Sequence, residues 1–187
     1  MIPPGLNFLA FNQKALQVQQ GNTNSRYYWD VGIGLKYQEQ GQTAFTPPIS
    51  LYYGLQEALK MVKEEGLENI LIRHANYRDM VRASVREMGL ELFTEDRFAS
   101  SAVTSIRAPK EIGANRIRKY MLEEFNIILA GGQQSLDDVI FRLGHLGYVR
   151  ELDIISVLAA LELTLVKFKF ELKLGAGIIK AQEILLK

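Results

Sequence analysis

The chain has 187 residues, long enough for one sizeable core or for one domain with part of another. Its 22 basic and 21 acidic residues are interspersed and leave a formal net charge of +1, so no charged field points to nucleic acid or a membrane surface. Disulfides, thiolate zinc sites and cysteine nucleophiles are excluded because cysteine is absent, a composition that fits a reducing cytoplasm.

Met1-Ile2-Pro3-Pro4-Gly5 lacks the basic start, apolar centre and small-residue cleavage site of an export signal. Leu6 to Phe11 reads as an apolar strand with no earlier element to pair with, and Asn12 is placed to cap a short helix from Gln13 to Gln19. After a polar loop at 21–25, Tyr27, Tyr28 and Trp29 open a segment running to about Glu39. These aromatics call for a surface to bury against, and Trp29 reads as a packing anchor. Gly41 to Pro48 is a linker by composition, since Pro47 and Pro48 forbid helix and bias Thr46 toward an extended backbone. That backbone could present the Thr43 and Thr46 hydroxyls to a phosphate; the plainer reading is a proline-stiffened connection.

A helix begins near Ile49, with Leu51, Leu55, Leu59 and Val62 at helical spacing, and Gly66 ends it with the residue a left-handed cap prefers. The next helix spans about Leu67 to Met88, its stripe formed by Leu67, Ile70, His74, Tyr77, Val81, Val85 and Met88, and Gly89 stops it. Leu90 to Phe93 and Ala102 to Ile106 alternate as strands. A helix from Gly113-Ala114-Asn115 to about Glu124 offers Ile117, Tyr120, Met121 and Leu122 to a core, and Ile127 to Ala130 reads as a short strand ending at Gly131-Gly132.

Val139 to Gly147 is the stretch of most interest. The two-residue period puts Val139, Phe141 and Leu143 on one face and Ile140, Arg142 and Gly144 on the other, so Arg142 points away from the more apolar face. A guanidinium there could hold a carboxylate by two parallel charge-assisted hydrogen bonds, or stay a solvated charge at a strand edge. A last long helix gathers Ile154, Val157, Leu158, Leu161, Leu165 and Phe168, and a short one runs from Gly175 to Lys187. The apolar run from Ile154 to Val166 carries Ser156, Glu162 and Thr164 and falls short of the roughly 20 apolar residues that span a bilayer. Two helices followed by strands mixed with helices argue for an α+β fold.

Few residues offer chemistry by themselves. His74 and His145 are the only histidines, with no carboxylates at ligand spacing; His74 reads as a satisfied core histidine and His145 as a turn residue. Gly131-Gly132 lacks the further glycine and lysine of a phosphate loop, no serine sits in a Gly-x-Ser-x-Gly elbow, and Glu64, Glu65, Glu123 and Glu124 read as solvated helix ends.

Taken in order, Pro3-Pro4-Gly5 with Asn7-Phe8-Leu9-Ala10-Phe11, Tyr28-Trp29-Asp30, Thr46-Pro47-Pro48-Ile49-Ser50-Leu51-Tyr52 and Phe141-Arg142-Leu143-Gly144-His145-Leu146-Gly147 resemble the carboxyl-terminal half of class V aminotransferases. These are pyridoxal-phosphate enzymes of the alanine/serine–glyoxylate type, together with the related proteins called soluble hydrogenase small subunit. The resemblance implies the small carboxyl-terminal domain of a fold-type I transferase plus the end of the large domain, divided as residues 1–40 and 41–187. It further implies that Arg142 binds the substrate carboxylate, that Thr46 reaches the cofactor phosphate of a neighbouring subunit in a homodimer, and that Thr43 lies beside it where some members have a tyrosine. The family's Schiff-base lysine precedes Pro-Pro-Gly, so the expectation is an inactive chain unless a missing amino-terminal half or a full-length homologue joins it. The implied reaction moves an amino group between a small amino acid and a 2-oxo acid such as glyoxylate or pyruvate. Two rivals are a non-catalytic interaction or assembly partner, using the orphan strand and aromatics, and a free-standing carboxylate-binding module.

Overall fold

A computed structural model describes residues 2–186, which fall into two compact units, residues 2–61 and 62–186. In the first, α1 (Gln13–Gln20) starts where the Asn12 side chain accepts the Ala15 N–H at 2.9 Å, and α2 (Val31–Glu39) where the Asp30 carboxylate accepts the Ile33 N–H at 3.1 Å. Helix α3 (Ile49–Glu65) begins directly after Pro47-Pro48, and its last turn belongs to the second unit. Leu6 to Phe11 is not a strand. It runs irregularly, with Phe8 73% and Leu9 74% exposed, because extended peptide groups need a pairing strand and none is present among the described residues of this unit. Phe45 gathers Tyr27 edge-on at 5.5 Å and Tyr28 at 4.9 Å, while Trp29 touches Tyr28 at 5.4 Å and stays 77% exposed. No described residue of the first unit is fully buried.

The second unit holds the core. Gly66, at φ +84°, closes α3 and opens α4 (Leu67–Glu87). Then come β1 (Val103–Arg107), α5 (Ala114–Phe125), β2 (Ala130–Gly131), β3 (Ile140–Gly144), α6 (Glu151–Lys167) and α7 (Ala176–Leu185). The sheet is antiparallel in the order β1-β3-β2. Tyr77, Met80, Val81, Val85 and Met88 pack with Ile106, Phe141 and Leu143 from the sheet, Ile117 and Met121 of α5, and Ile154, Leu158, Leu161 and Leu165 of α6. The α4 stripe therefore reaches the core only from Tyr77 onward; Leu67 is 65% exposed.

Two expected strands and one expected core residue of this unit differ. Leu90 to Phe93 contributes a single bridge, Leu92 to Ile106, rather than a strand. The strand placed at Ile127 to Ala130 begins only at Ala130, because Ile127 N–H bonds back to Met121 O at 3.1 Å, extending the helix end, and Arg118 takes the Leu129 carbonyl. Leu122 is 46% exposed, since one residue past Met121 rotates it off the buried face of α5. Among the described residues no helix is long and apolar enough to cross a membrane, and no group of three potential metal ligands is found.

Candidate functional site

Arg142 sits at the middle of β3, half-buried, on the face opposite Phe141 and Leu143. Its register partners are Ser105 of β1 and Ala130 of β2, both small, so neither neighbour fills the space over the strand. Ser105 gives its carbonyl to the Phe93 N–H, which makes Ser105 and Arg142 a non-hydrogen-bonded pair, the kind that brings side chains closer together. Arg142 Nε donates to Gly131 O at 2.9 Å, while its two Nη nitrogens make no hydrogen bond or ion pair within the described residues. Among the described residues no acid pairs with the guanidinium. The side chain is held at its inner nitrogen with its planar fork open.

The strand that holds Arg142 is itself held. Arg118 of α5 donates from Nε to Leu129 O and from Nη1 to Asn115 Oδ1, each at 2.9 Å. A Cβ on Gly131 would come within 2.6 Å of Arg118 Nη1, and one on Gly132 would overlap the Leu136 carbonyl. Gly131 is thus the last residue of β2 rather than part of a turn, Gly132 extends the ladder by its bond to Ile140 O, and a side chain on either would force its neighbour to shift.

The segment leaving β3 is fixed from α4. His74 donates from Nδ1 to Ile70 O at 2.7 Å, which leaves Nε2 as the acceptor of the Gly147 N–H at 2.8 Å. Arg73 donates to Gly147 O at 3.0 Å, and its fork pairs with Glu65, which lowers the Glu65 pKa and raises that of Arg73. Glu65 is therefore an ion-pair partner, not merely a solvated helix end. Nearby, Tyr77 donates to Glu151 at 2.9 Å; burial, reinforced by that carboxylate, pushes the phenol up to about 12. His74 is the satisfied histidine that its position on the helix predicts.

His145 is not a turn residue at the surface. It is fully buried behind β3, with Nε2 2.9 Å from Thr104 Oγ1 and Nδ1 lacking any partner of hydrogen-bonding geometry. The two-residue period of Phe141 and Leu143 carries on to it, with its N–H continuing the ladder to Ala102 O at 2.9 Å, so the ring faces inward and burial pushes its pKa down to about 4.

Thr43 and Thr46 belong to the first unit and Arg142 to the second. Both threonines are exposed; Thr43 Oγ1 donates to Phe45 O at 2.8 Å, whereas the Thr46 hydroxyl makes no hydrogen bond within the described residues. A cleft of about 560 Å³ opens beyond the other end of β1, lined by Arg107, Lys110, Asp137, Asp138 and Phe170 among others, and Arg142 is not part of it. Arg107 there pairs with Glu91 at 2.9 Å and stacks on Phe93. Sequence reasoning missed Arg118, Arg73 and Ser105. Their roles depend on pairings between distant residues, for which the chain carries no local signal.

This fold is the carboxyl-terminal half of a fold-type I pyridoxal-phosphate transferase: small domain plus the end of the large one. The solved ureidoglycine–glyoxylate aminotransferase of Bacillus subtilis matches with a TM-score of 0.88, covering 95% of this chain and 47% of its own at 26% identity. More particularly, the chain belongs to the class V, alanine/serine–glyoxylate aminotransferase family, matching the carboxyl-terminal half of its members. It is 40% identical to the soluble hydrogenase 42 kDa subunit of Anabaena cylindrica over 98% of this chain and 48% of that protein. It is 33% identical to a serine–glyoxylate aminotransferase of Methylorubrum extorquens over 99% of this chain and 48% of that one. The chain thus spans about half the length of the curated relatives it matches. No protein-family model matches it.

Proposed function

We propose that this chain is the substrate-carboxylate half of an aminotransferase that moves an amino group between a small amino acid and a 2-oxo acid such as glyoxylate or pyruvate. The observation that carries this reading is Arg142, whose Nε is tied to Gly131 O while its fork is unpaired. An arginine held this way meets a carboxylate with two parallel bonds and little ordering cost. Residues 1–40 complete the large domain in this reading, and 41–187 form the small one.

Pyridoxal phosphate, when bound, supplies the electron sink for amino-group transfer. Of the two threonines, Thr46 fits a phosphate donor because its exposed hydroxyl is uncommitted; Thr43 would first have to release Phe45 O. This chain's own part is to bind the carboxylate at Arg142 and to offer Thr46 to the phosphate of a neighbouring subunit. The 187-residue polypeptide made by itself is expected to bind small carboxylates without turning them over.

Titration of the chain with pyruvate and glyoxylate, followed by NMR, tests the reading. Arg142→Ala should weaken binding by roughly tenfold to a hundredfold, the worth of one charge-assisted pair of hydrogen bonds. Unchanged affinity in that variant removes Arg142 from the reading.

A second reading, an interaction or assembly partner without catalysis, is favoured by one specific observation. Phe8, Leu9, Tyr27, Tyr28 and Trp29 are exposed apolar side chains on a unit with no fully buried residue among those described.

A further inference from the structure

We infer that Arg118 is a positioning residue for Arg142, acting through the two-residue strand between them. This rests on the carboxylate reading of Arg142. Strand β2 is an edge strand with only Ala130 and Gly131 in register with β3 and a further bond from Gly132 N–H to Ile140 O at 3.0 Å. So short an edge opens easily unless something else secures it. Gly131 O is nevertheless the one protein group that fixes the Arg142 guanidinium among the described residues.

Arg118 supplies the missing restraint. Its Nε–H holds Leu129 O at 2.9 Å immediately before the strand, and its Nη1 is tied in turn to Asn115 Oδ1, so the strand's entry is fastened to the first turn of α5. Two residues later, on the other side of the strand, Gly131 O receives Arg142 Nε. A Cβ at 131 would point at Arg118, as it must for the register partner of the core residue Phe141, whereas Arg142 lies on the opposite face. The two guanidiniums therefore grip the same short strand from its two faces. If Arg118 lets go, the strand edge opens, Gly131 O moves and the fork of Arg142 loses its fixed plane; its charge is unaltered. Gly131 is required for the same reason, since a side chain there would push the Arg118 guanidinium off Leu129.

The test uses the 187-residue chain with pyruvate as the probe. Arg118→Gln is expected to raise the dissociation constant about three- to tenfold, the cost of losing pre-organisation with the binding charge still in place. Exchange of the Gly132 amide should quicken in the same variant. Gly131→Ala, which displaces the same guanidinium without removing it, should reproduce both effects. In an Arg142→Lys background neither change should weaken binding further, because lysine has no Nε–H to be oriented by Gly131 O. Native affinity in Arg118→Gln and Gly131→Ala overturns the inference and leaves the role of Arg142 standing. An equal loss in both backgrounds also overturns it, since Arg118 would then act directly on the anion. Should Arg142→Ala bind pyruvate like the parent chain, the carboxylate reading fails and this inference with it.

Discussion

His145 shows what a single buried ring does to the chain's response to pH. An imidazole with ordinary pKa 6.5 is held near 4 in the fold, so between those values the unfolded chain takes up a proton that the folded chain refuses. Stability is therefore fully present above about pH 6.5 and falls as pH drops toward 4, by about 3 kcal/mol in all. The arginine-paired carboxylates Glu65 and Asp96 have lowered pKa values and act in the other window, losing their contribution only below the ordinary carboxylate range. Urea midpoints measured at pH 7 and pH 5 should drop for the parent chain and stay nearly level for His145→Gln. A parent chain whose midpoint ignores that interval would contradict the buried, uncharged ring. In the sequence this histidine follows Gly144 and precedes Leu146-Gly147, a pattern that reads as a turn. Extending the alternation of Phe141 and Leu143 by two residues places it inside, but nothing local announces its partner Thr104, 41 residues away.

At the scale of elements, α7 shows how one helix is fastened by others. The buried Glu162 carboxylate of α6 accepts the Gly175 N–H at 2.6 Å and the Gly177 N–H at 2.7 Å, satisfying the free amides of the helix start from outside its own sequence. Ser84 of α4 donates to Gly177 O at 2.8 Å, and a Cβ on Gly177 would overlap Met88 Cε and come within 3.1 Å of Glu162 Oε1. Gly177→Ala should therefore destabilise the chain by about 1–3 kcal/mol through overpacking, even though alanine is the better helix former. Thermal unfolding would show it as a lowered midpoint; an unchanged or raised one would mean that Met88 repacks freely. Several helices were legible from their own punctuation: Asn12 caps α1, and Gly66 and Gly89 end α3 and α4; α2, which Asp30 caps, was read only as a segment. The sheet was less so. Its middle strand stood out by alternation, but the edge at Ala130–Gly131 and the lone bridge at Leu92 are decided by what pairs across the sheet.

For the molecule as a whole, the contrast between the two units matters more than either alone. The second unit buries a continuous core, while the first keeps Tyr27, Tyr28 and Trp29 in water. Ordered motifs spread over nearly the full length revealed the family where no single residue did, and the comparisons agree with that reading. The candidate site was legible at Arg142 alone, because an arginine inside an apolar strand is unusual; the group that holds it comes from β2, and the groups that hold the neighbouring backbone come from α4 and α5. Mixing the chain with a separately made amino-terminal half of one of its relatives should shield the single tryptophan, seen as a shift in the fluorine signal of a labelled Trp29. Shielding with cofactor absorbance and turnover supports a split enzyme, and shielding without turnover supports an assembly partner. An unshifted signal would sink both.

Arg73 and His74 are consecutive in α4 and take hold of the carbonyl and the amide of Gly147. The exit from β3 thus borrows its stiffness from a helix, and the peptide planes on either side of that glycine cannot swing independently of it. A ligand that touched this turn would find it already braced, so the energy of its capture need not be spent on settling a wandering loop.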